Sequence, residues 1–481
     1  MDISPARNSI PRQFFARWRL ADCTFAVLTL LAVLAAWEGF VMNNYCKLST
    51  AGPGPAILDA WDRLVMNEGP DPCGCGGDFL QFYIAGTIVN RGEAERLYDQ
   101  PYFRHFQVAM RDDPLCSLYP PTMALLASPL ARMTYHEALT VWWMLQAACL
   151  AATGAIFYRH ASLSPAWKVN MLVALASLLP LWIAITIGHL APMLLLVLAG
   201  GLILHQQGNR CLAGLVLSLL ALKPQLAVGL VIWMLVRRDL RTLAGLTGGF
   251  ALQALAVAAT LGPGRWCGYL QAMPIISAVT RAYRYSPVYE QSFAGIAGNL
   301  FWAAGLAAWK VSAMRVAYAV TTGAAAVLLC RVVWARQSWT PAQSLRPLQP
   351  AAESENYEYA CGVLFMMIFP PYLLVYDQTL LAVPLVMLWS SPAWRWGIAL
   401  FATTTALVPH VSFALGFSLT GLVALATMFS LARAVDAACP VAGGQQDSCL
   451  AGIRKLPRKV FFDFLKKRPR FQVKERLASG K

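Results

Sequence analysis

Charge is what this chain has little of. Of its 481 residues, 13% are Asp, Glu, Lys or Arg and only 6 are His, where a soluble protein carries about a quarter charged residues. That shortage excludes an ordinary cytosolic enzyme and a disordered chain. With 12 cysteines in this length, a disulfide-stapled secreted domain is excluded as well. No Gly-rich phosphate cradle, no Ser/His/Asp order and no Asp-x-Asp pair of the nucleotide-sugar kind is visible. Zinc lacks its ligands too, since Cys73-Gly-Cys75 has neither paired His nor a further Cys-x-x-Cys beside it. Present instead are apolar residues, 58% of the chain at a mean hydropathy of +0.51, gathered in repeated stretches of roughly 15 to 24. A length that would allow about three soluble domains is taken up by membrane spans. The chain reads as an all-α polytopic membrane protein.

The net charge of +15 does not point to nucleic acid, because its distribution is that of a membrane protein. Residues 437–481 hold 11 Lys and Arg against 3 acids, and Arg7, Arg12, Arg17 and Arg19 crowd the other end. Basic segments flanking spans set orientation and meet anionic headgroups. Both ends are therefore expected inside: residues 1–22 and the tail 437–481 as cytoplasmic segments, 23–436 as the membrane domain. The first apolar run, Cys23 to Met42, is too long for a signal peptide and is read as an uncleaved first span. Eleven more spans follow at about 138–158, 169–187, 189–205, 211–222, 225–236, 242–261, 311–334, 358–375, 378–390, 395–409 and 412–434, placing most loop Arg and Lys inside. Residues 119–133 open with Pro120-Pro121 and are expected to re-enter or lie on the surface.

Several of these spans are short, and their breaks share one side. Gly188-His189, Lys223-Pro224 and Tyr376-Asp377-Gln378 fall at outer turns, together with a long first loop (43–118) and a second (262–310). Broken backbone at membrane depth survives only when buried or beside a wet cavity, so an outer cavity is expected. Asp78 follows a Gly pair and is expected to open an amphipathic helix from Phe79 to Arg91; a carboxylate there is either a plain N-cap or a charged group held by the dipole for chemistry. Lys223 interrupts an apolar run, and an ionisable residue within a membrane segment marks function unless it snorkels to the interface. Its ammonium would suit a phosphate, to which Arg281, Arg284 and Lys310 of the second loop would add. Asp377 stands at a similar break, His189 has a weaker claim, and Gln291-Ser292 precedes an apolar helix. Cys46, Cys73, Cys75 and Cys116 share the first outer loop, where a disulfide is plausible.

Taken in order, Gly77-Asp78-Phe79-x-x-Phe82-Tyr83-x-Ala85-Gly86, Leu97-Tyr98-Asp99, Tyr119-Pro120-Pro121, Ser128-Pro129-Leu130-Ala131, Gly188-His189, Leu222-Lys223-Pro224-Gln225, Gln291-Ser292 and Tyr376-Asp377 resemble glycosyltransferase family 87. This is a family of C-type membrane glycosyltransferases that includes polyprenyl-phosphate-mannose-dependent mannosyltransferases. The likeness runs from about Asp78 to Leu385, and it departs from the family at Gly188-His189, where Gly-Gln is usual, and in the Cys-Gly-Cys before Asp78. It implies transfer of a sugar, mannose in the better-known case, from a polyprenyl-phosphate donor to a glycolipid or polysaccharide acceptor. The reaction would run at the outer face of a plasma (inner) membrane, with inversion, Asp78 being the general base. Lys223, with Arg281 or Arg284, would hold the departing phosphate; Tyr83, Tyr98 and Tyr119, with His189, Gln291 and Asp377, would line the pocket. No cofactor or metal is implied. The competing readings are a lipid or sugar transporter or flippase, which would explain broken helices without chemistry, and another lipid-linked transfer enzyme. Against a transporter stand the absence of an internal repeat and the long outer loop.

Overall fold

A chain this apolar has to satisfy its backbone within itself, and it does so with helices. The computed structural model describes residues 24–36 (26 aside), 77–108, 117–161, 163–282, 292–306, 309–337, 349–371, 373–389 and 420–438; these are helical, with no strand among them. The span expected at 395–409, Cys46, Cys73, Cys75, Cys116, Arg284, Gln291 and nearly all of both basic ends lie outside the described residues.

After α1 (Val27–Ala36) comes a first group: α2 (Gly77–Asn90), α3 (Gln100–Val108) and α4 (Pro121–Ala127). Then follow α5 (Tyr135–His160), α6 (Pro165–Ala176), α7 (Leu179–Thr186), α8 (Ala191–Gln206), α9 (Arg210–Leu217, continued as 3₁₀ to Leu222), α10 (Pro224–Arg237) and α11 (Leu240–Leu261). The rest are α12 (Arg265–Ala282), α13 (Phe293–Ala303), α14 (Lys310–Gln337), α15 (Gln349–Ile368), a 3₁₀ turn at Val375–Leu381 leading into α16 (Ala382–Trp389), and α17 (Thr420–Ala438). Among the described residues α5, α11 and α14 are long and apolar enough to cross a membrane alone, and the bent pair α6–α7 makes a fourth; the other apolar helices are shorter. The protein is an integral membrane protein, and up to four of the expected twelve crossings are found among the described residues.

Several expectations need correcting. The span at 169–187 is two helices bent by 54°; Pro180 begins the second and cannot donate back into the first. The span at 358–375 is a helix ending at Ile368, and residues 375–381 are 3₁₀ instead. Residues 262–310 hold two helices, α12 and α13, the second being the apolar helix expected after Gln291-Ser292. The helix after Asp78 is not amphipathic: Phe79, Leu80, Gln81, Phe82, Ile84, Ala85, Gly86 and Ile88 are all buried, because α3 and α4 pack on it from different sides. Residues 121–127 form a seven-residue helix with Pro at its start, about 10 Å long and too short to cross.

The helices meet closely where glycine permits it. At the crossing of α9 and α11, a Cβ on Gly214 would sit 2.1 Å from the Thr242 carbonyl oxygen, and one on Gly245 2.0 Å from the Cys211 carbonyl oxygen. The two backbones therefore touch, which is how helices associate in lipid without a hydrophobic driving force between them. α8 and α10 run in one direction, since His189 meets Lys223 just before their starts and His205 in the last turn of α8 meets Asp239 just after α10. At 16 and 14 residues they are about 24 and 21 Å long, less than the ~30 Å of a hydrocarbon core.

Candidate active site

The site is built on a turn. α7 ends with Gly188 in the left-handed region (φ +68°), its N–H donating to the Ile185 carbonyl (3.1 Å) while the His189 N–H donates to that of Ala184 (2.8 Å). This is a Schellman cap, which glycine enters without Cβ strain. The carbonyls that the cap leaves over are each claimed by another part of the chain. Ile187 O accepts the N–H groups of Asp78 and Phe79 (2.8 and 3.3 Å). Gly188 O accepts the Trp142 indole N–H (2.8 Å), and His189 O accepts the Gln146 amide (2.7 Å). One turn thus ties the first turn of α2 to a face of α5.

The imidazole of the same turn enters an ion cluster. His189 is fully buried, and its Nδ1 accepts the Ala191 N–H (3.0 Å), so the proton of the neutral ring sits on Nε2. That nitrogen lies 3.3 Å from Lys223 Nζ and 3.9 Å from Asp377 Oδ1. Lys223 donates to the same Asp377 oxygen, and Asp377 Oδ2 accepts the Leu374 N–H (3.1 Å). Lys223 is 7% exposed and Asp377 1%, so this is a buried pair rather than a snorkelling lysine. The Tyr376 ring lies on His189 at 3.9 Å between centroids, with Lys223 Nζ 5.0 Å from its centre. The cluster is a buried Lys223–Asp377 ion pair with the His189 ring against the ammonium.

Asp78 stands beside this turn. It is the second residue of α2 and half-buried, near the positive end of the helix dipole. The amides that the helix start leaves over, its own and that of Phe79, go to Ile187. Its Oδ1 accepts from Gln81 Nε2 at 3.3 Å. The tyrosines knit this first group of helices together. Tyr83 donates to the Met133 carbonyl (2.8 Å), Tyr98 to that of Tyr119 (3.0 Å), and the Tyr119 ring stands edge-on to Phe82 at 4.7 Å. Burial, then the neighbouring Tyr269, pushes the Tyr98 phenol well up, and burial pushes Tyr269 up to about 12, so both remain donors at neutral pH. Ser292 Oγ caps α13 through the Gly295 N–H (3.0 Å) and donates to the Pro371 carbonyl (2.9 Å). The backbone of Arg281 lies in the last turn of α12 and Lys310 opens α14. No group of three or more His, Cys, Asp or Glu placed to hold a metal ion occurs among the described residues.

Sequence reasoning missed Trp142, Gln146 and Gln81. Gln146 carried a signal, being a fully buried amide in the middle of the apolar α5. It also missed a second buried cluster, at the far ends of α8 and α10. There the His205 ring lies between Asp239, on Nε2, and the Tyr359 hydroxyl, on Nδ1. Asp239 also caps α11 through the Thr242 N–H (3.2 Å). Arg237 donates to Glu358 (2.7 Å) and lies over the Tyr359 ring (5.1 Å).

Residues 118–346, just under half of the chain, match the family model of glycosyltransferase family 87. That stretch holds the Gly188-His189 turn and Lys223, with Asp78 and Asp377 on either side of it. No curated protein and no solved structure matches the chain.

Proposed function

We propose that this chain, which matches the family 87 model over residues 118–346, is a membrane glycosyltransferase that moves a sugar, mannose in our reading, from a polyprenyl-phosphate donor to a lipid or glycan acceptor. The reaction runs at the extracytoplasmic face of a plasma (inner) membrane whose cytoplasmic side holds both termini. The observation that carries this reading is the hydrogen bonding of Asp78 and Phe79 to Ile187. Through it a carboxylate from the first outer loop stands at the turn that also supplies His189 to Lys223 and Asp377.

Asp78 acts as general base. It takes the proton of the acceptor hydroxyl as that oxygen bonds to the anomeric carbon; the bond from that carbon to the phosphate oxygen breaks, and polyprenyl phosphate leaves. The attack comes from the face opposite the leaving group, so the anomeric centre inverts through an oxocarbenium-like transition state. General-base help is worth about 10²–10⁴-fold. Lys223, Arg281 and Arg284 are the cations assigned to the departing phosphate. Lys223 already shares its charge with Asp377, so before the donor binds no bare ammonium is stranded in the interior. Tyr83, Tyr98, Tyr119, His189, Gln291 and Asp377 are assigned to the pocket walls.

The test uses purified protein in nanodiscs with radiolabelled polyprenyl-phosphate-mannose and a membrane lipid extract. Label should pass to a new glycolipid, and both Asp78→Ala and Asp78→Asn should lower the rate by about 10²–10⁴-fold while donor binding persists. Undiminished transfer in the variants would reduce Asp78 to a structural residue. Label that crosses a sealed bilayer with no product formed would sink the donor and acceptor assignment.

A further inference from the structure

One residue beside the proposed base is left over. Gln81 stands three residues after Asp78, where a helix brings side chains together on one face. It is 2% exposed, and its Nε2 donates to Asp78 Oδ1 at 3.3 Å. The rotation of α2 that presents both residues is fixed by Phe79 and Phe82, each at most 1% exposed. Only the N–H end of the carboxamide can face a carboxylate oxygen, because the reverse setting brings two acceptors together. The carbonyl end, Oε1, is buried with no hydrogen-bond partner among the described residues, and the side chain lines a cavity of about 10 Å³ with Leu97, Ser117 and Tyr119. A space of that size takes about one water, so no other side chain can enter to draw the amide away from Asp78.

We infer that Gln81 is a positioning residue for the transfer reaction: its amide N–H aims the Asp78 carboxylate and keeps it in its acceptor form, without itself touching the sugar. This rests on Asp78 being the base. A hydrogen bond to an ionised acceptor favours the charged form and is among the stronger ones a side chain makes. Its loss acts on the rate of proton removal, while the donor lipid is held elsewhere.

The experiment uses the full chain in nanodiscs and measures kcat and the KM for radiolabelled polyprenyl-phosphate-mannose in Gln81→Met, Gln81→Glu, Asp78→Asn and Asp78→Asn with Gln81→Met. Gln81→Met keeps the bulk and removes the donor; kcat should fall about 10- to 100-fold, with KM held to within about twofold. Gln81→Glu should fall at least as far, because a second carboxylate repels the first. On the Asp78→Asn background the Gln81→Met change should cost nothing further, since the two act as one unit. Wild-type kcat in Gln81→Met, or a full additional loss in the double variant, would overturn the inference and leave Gln81 a packing residue. If Gln81→Met does not melt as a folded protein, Gln81→Glu on both backgrounds decides by the same criteria. Asp78→Asn transferring at the wild-type rate would remove the base, and this inference with it. Loss in Asp78→Asn beside an unaffected Gln81→Met removes the inference alone.

Discussion

The two ends of α8 and α10 make a natural comparison. At their starts, His189, Lys223 and Asp377 form one buried cluster; at their ends, His205, Asp239 and Tyr359 with Arg237 and Glu358 form another. Both join helices far apart in sequence, and both hold buried ion pairs. They differ in what surrounds them. The first adjoins a Schellman turn whose carbonyls reach the start of α2 and the face of α5. The second stands where helix ends meet: His205 in the last turn of α8, Arg237 at the end of α10, and Asp239 at the start of α11. Buried charge is thus a poor marker of chemistry by itself; the architecture that presents it tells the two apart.

The sharpest way to break that distinction is to strand one charge at each end. Asp377→Ala leaves Lys223 buried without its carboxylate, and Glu358→Ala does the same to Arg237. Each should cost about 3–5 kcal/mol of stability, read from thermal melts in nanodiscs. Only Asp377→Ala should also abolish transfer per folded molecule. Equal loss of transfer from both would erase the difference.

A smaller effect sharpens the comparison by sparing the fold. Replacing whole pairs with apolar residues of similar volume is often near neutral for stability. Lys223→Met with Asp377→Leu should therefore melt near wild type yet transfer about 10²-fold more slowly, whereas Arg237→Met with Glu358→Met should keep both properties. The smallest change is Tyr359→Phe, which removes one hydroxyl from the second cluster. It should cost about 1 kcal/mol in melting and leave the transfer rate as it is. A slowed rate there would mean that the second cluster reaches the chemistry.

The same contrast explains what could be read in the sequence. Gly188-His189, Lys223 and Asp377 stood out because ionisable or turn-forming residues interrupt apolar runs, and membrane physics leaves few reasons for that; Asp78 stood out by the Gly pair before it. Their ordered motifs also resembled the family whose model matches residues 118–346, a stretch that holds Gly188-His189 and Lys223 but neither Asp78 nor Asp377. Arg237 and Arg210 were legible only as flanking charges. A basic residue at a span end looks the same in sequence whether it meets lipid headgroups or a buried Glu358, because the partner comes from another helix. The bend between α6 and α7 escaped notice because Pro180 lies within a continuous apolar run. The helix expected to be amphipathic after Asp78 proved otherwise: Gln81 is buried and the Asn90 amide donates to the Ser128 carbonyl (2.7 Å). Gln146 in α5 was readable and passed over.

The pairing of Lys223 with Asp377 also has a consequence for biosynthesis. The two are 154 residues apart, and so are His205 and Tyr359. A ribosome adding about 5–20 residues per second needs roughly 8–30 s to deliver the second member of each pair after the first. For that interval the half-made chain holds an ammonium whose carboxylate does not yet exist, at a depth where an unpaired charge is costly. Insertion of this protein must therefore either shelter Lys223 in the translocation machinery or leave α10 uncommitted to the bilayer until α15 and the turn after it arrive.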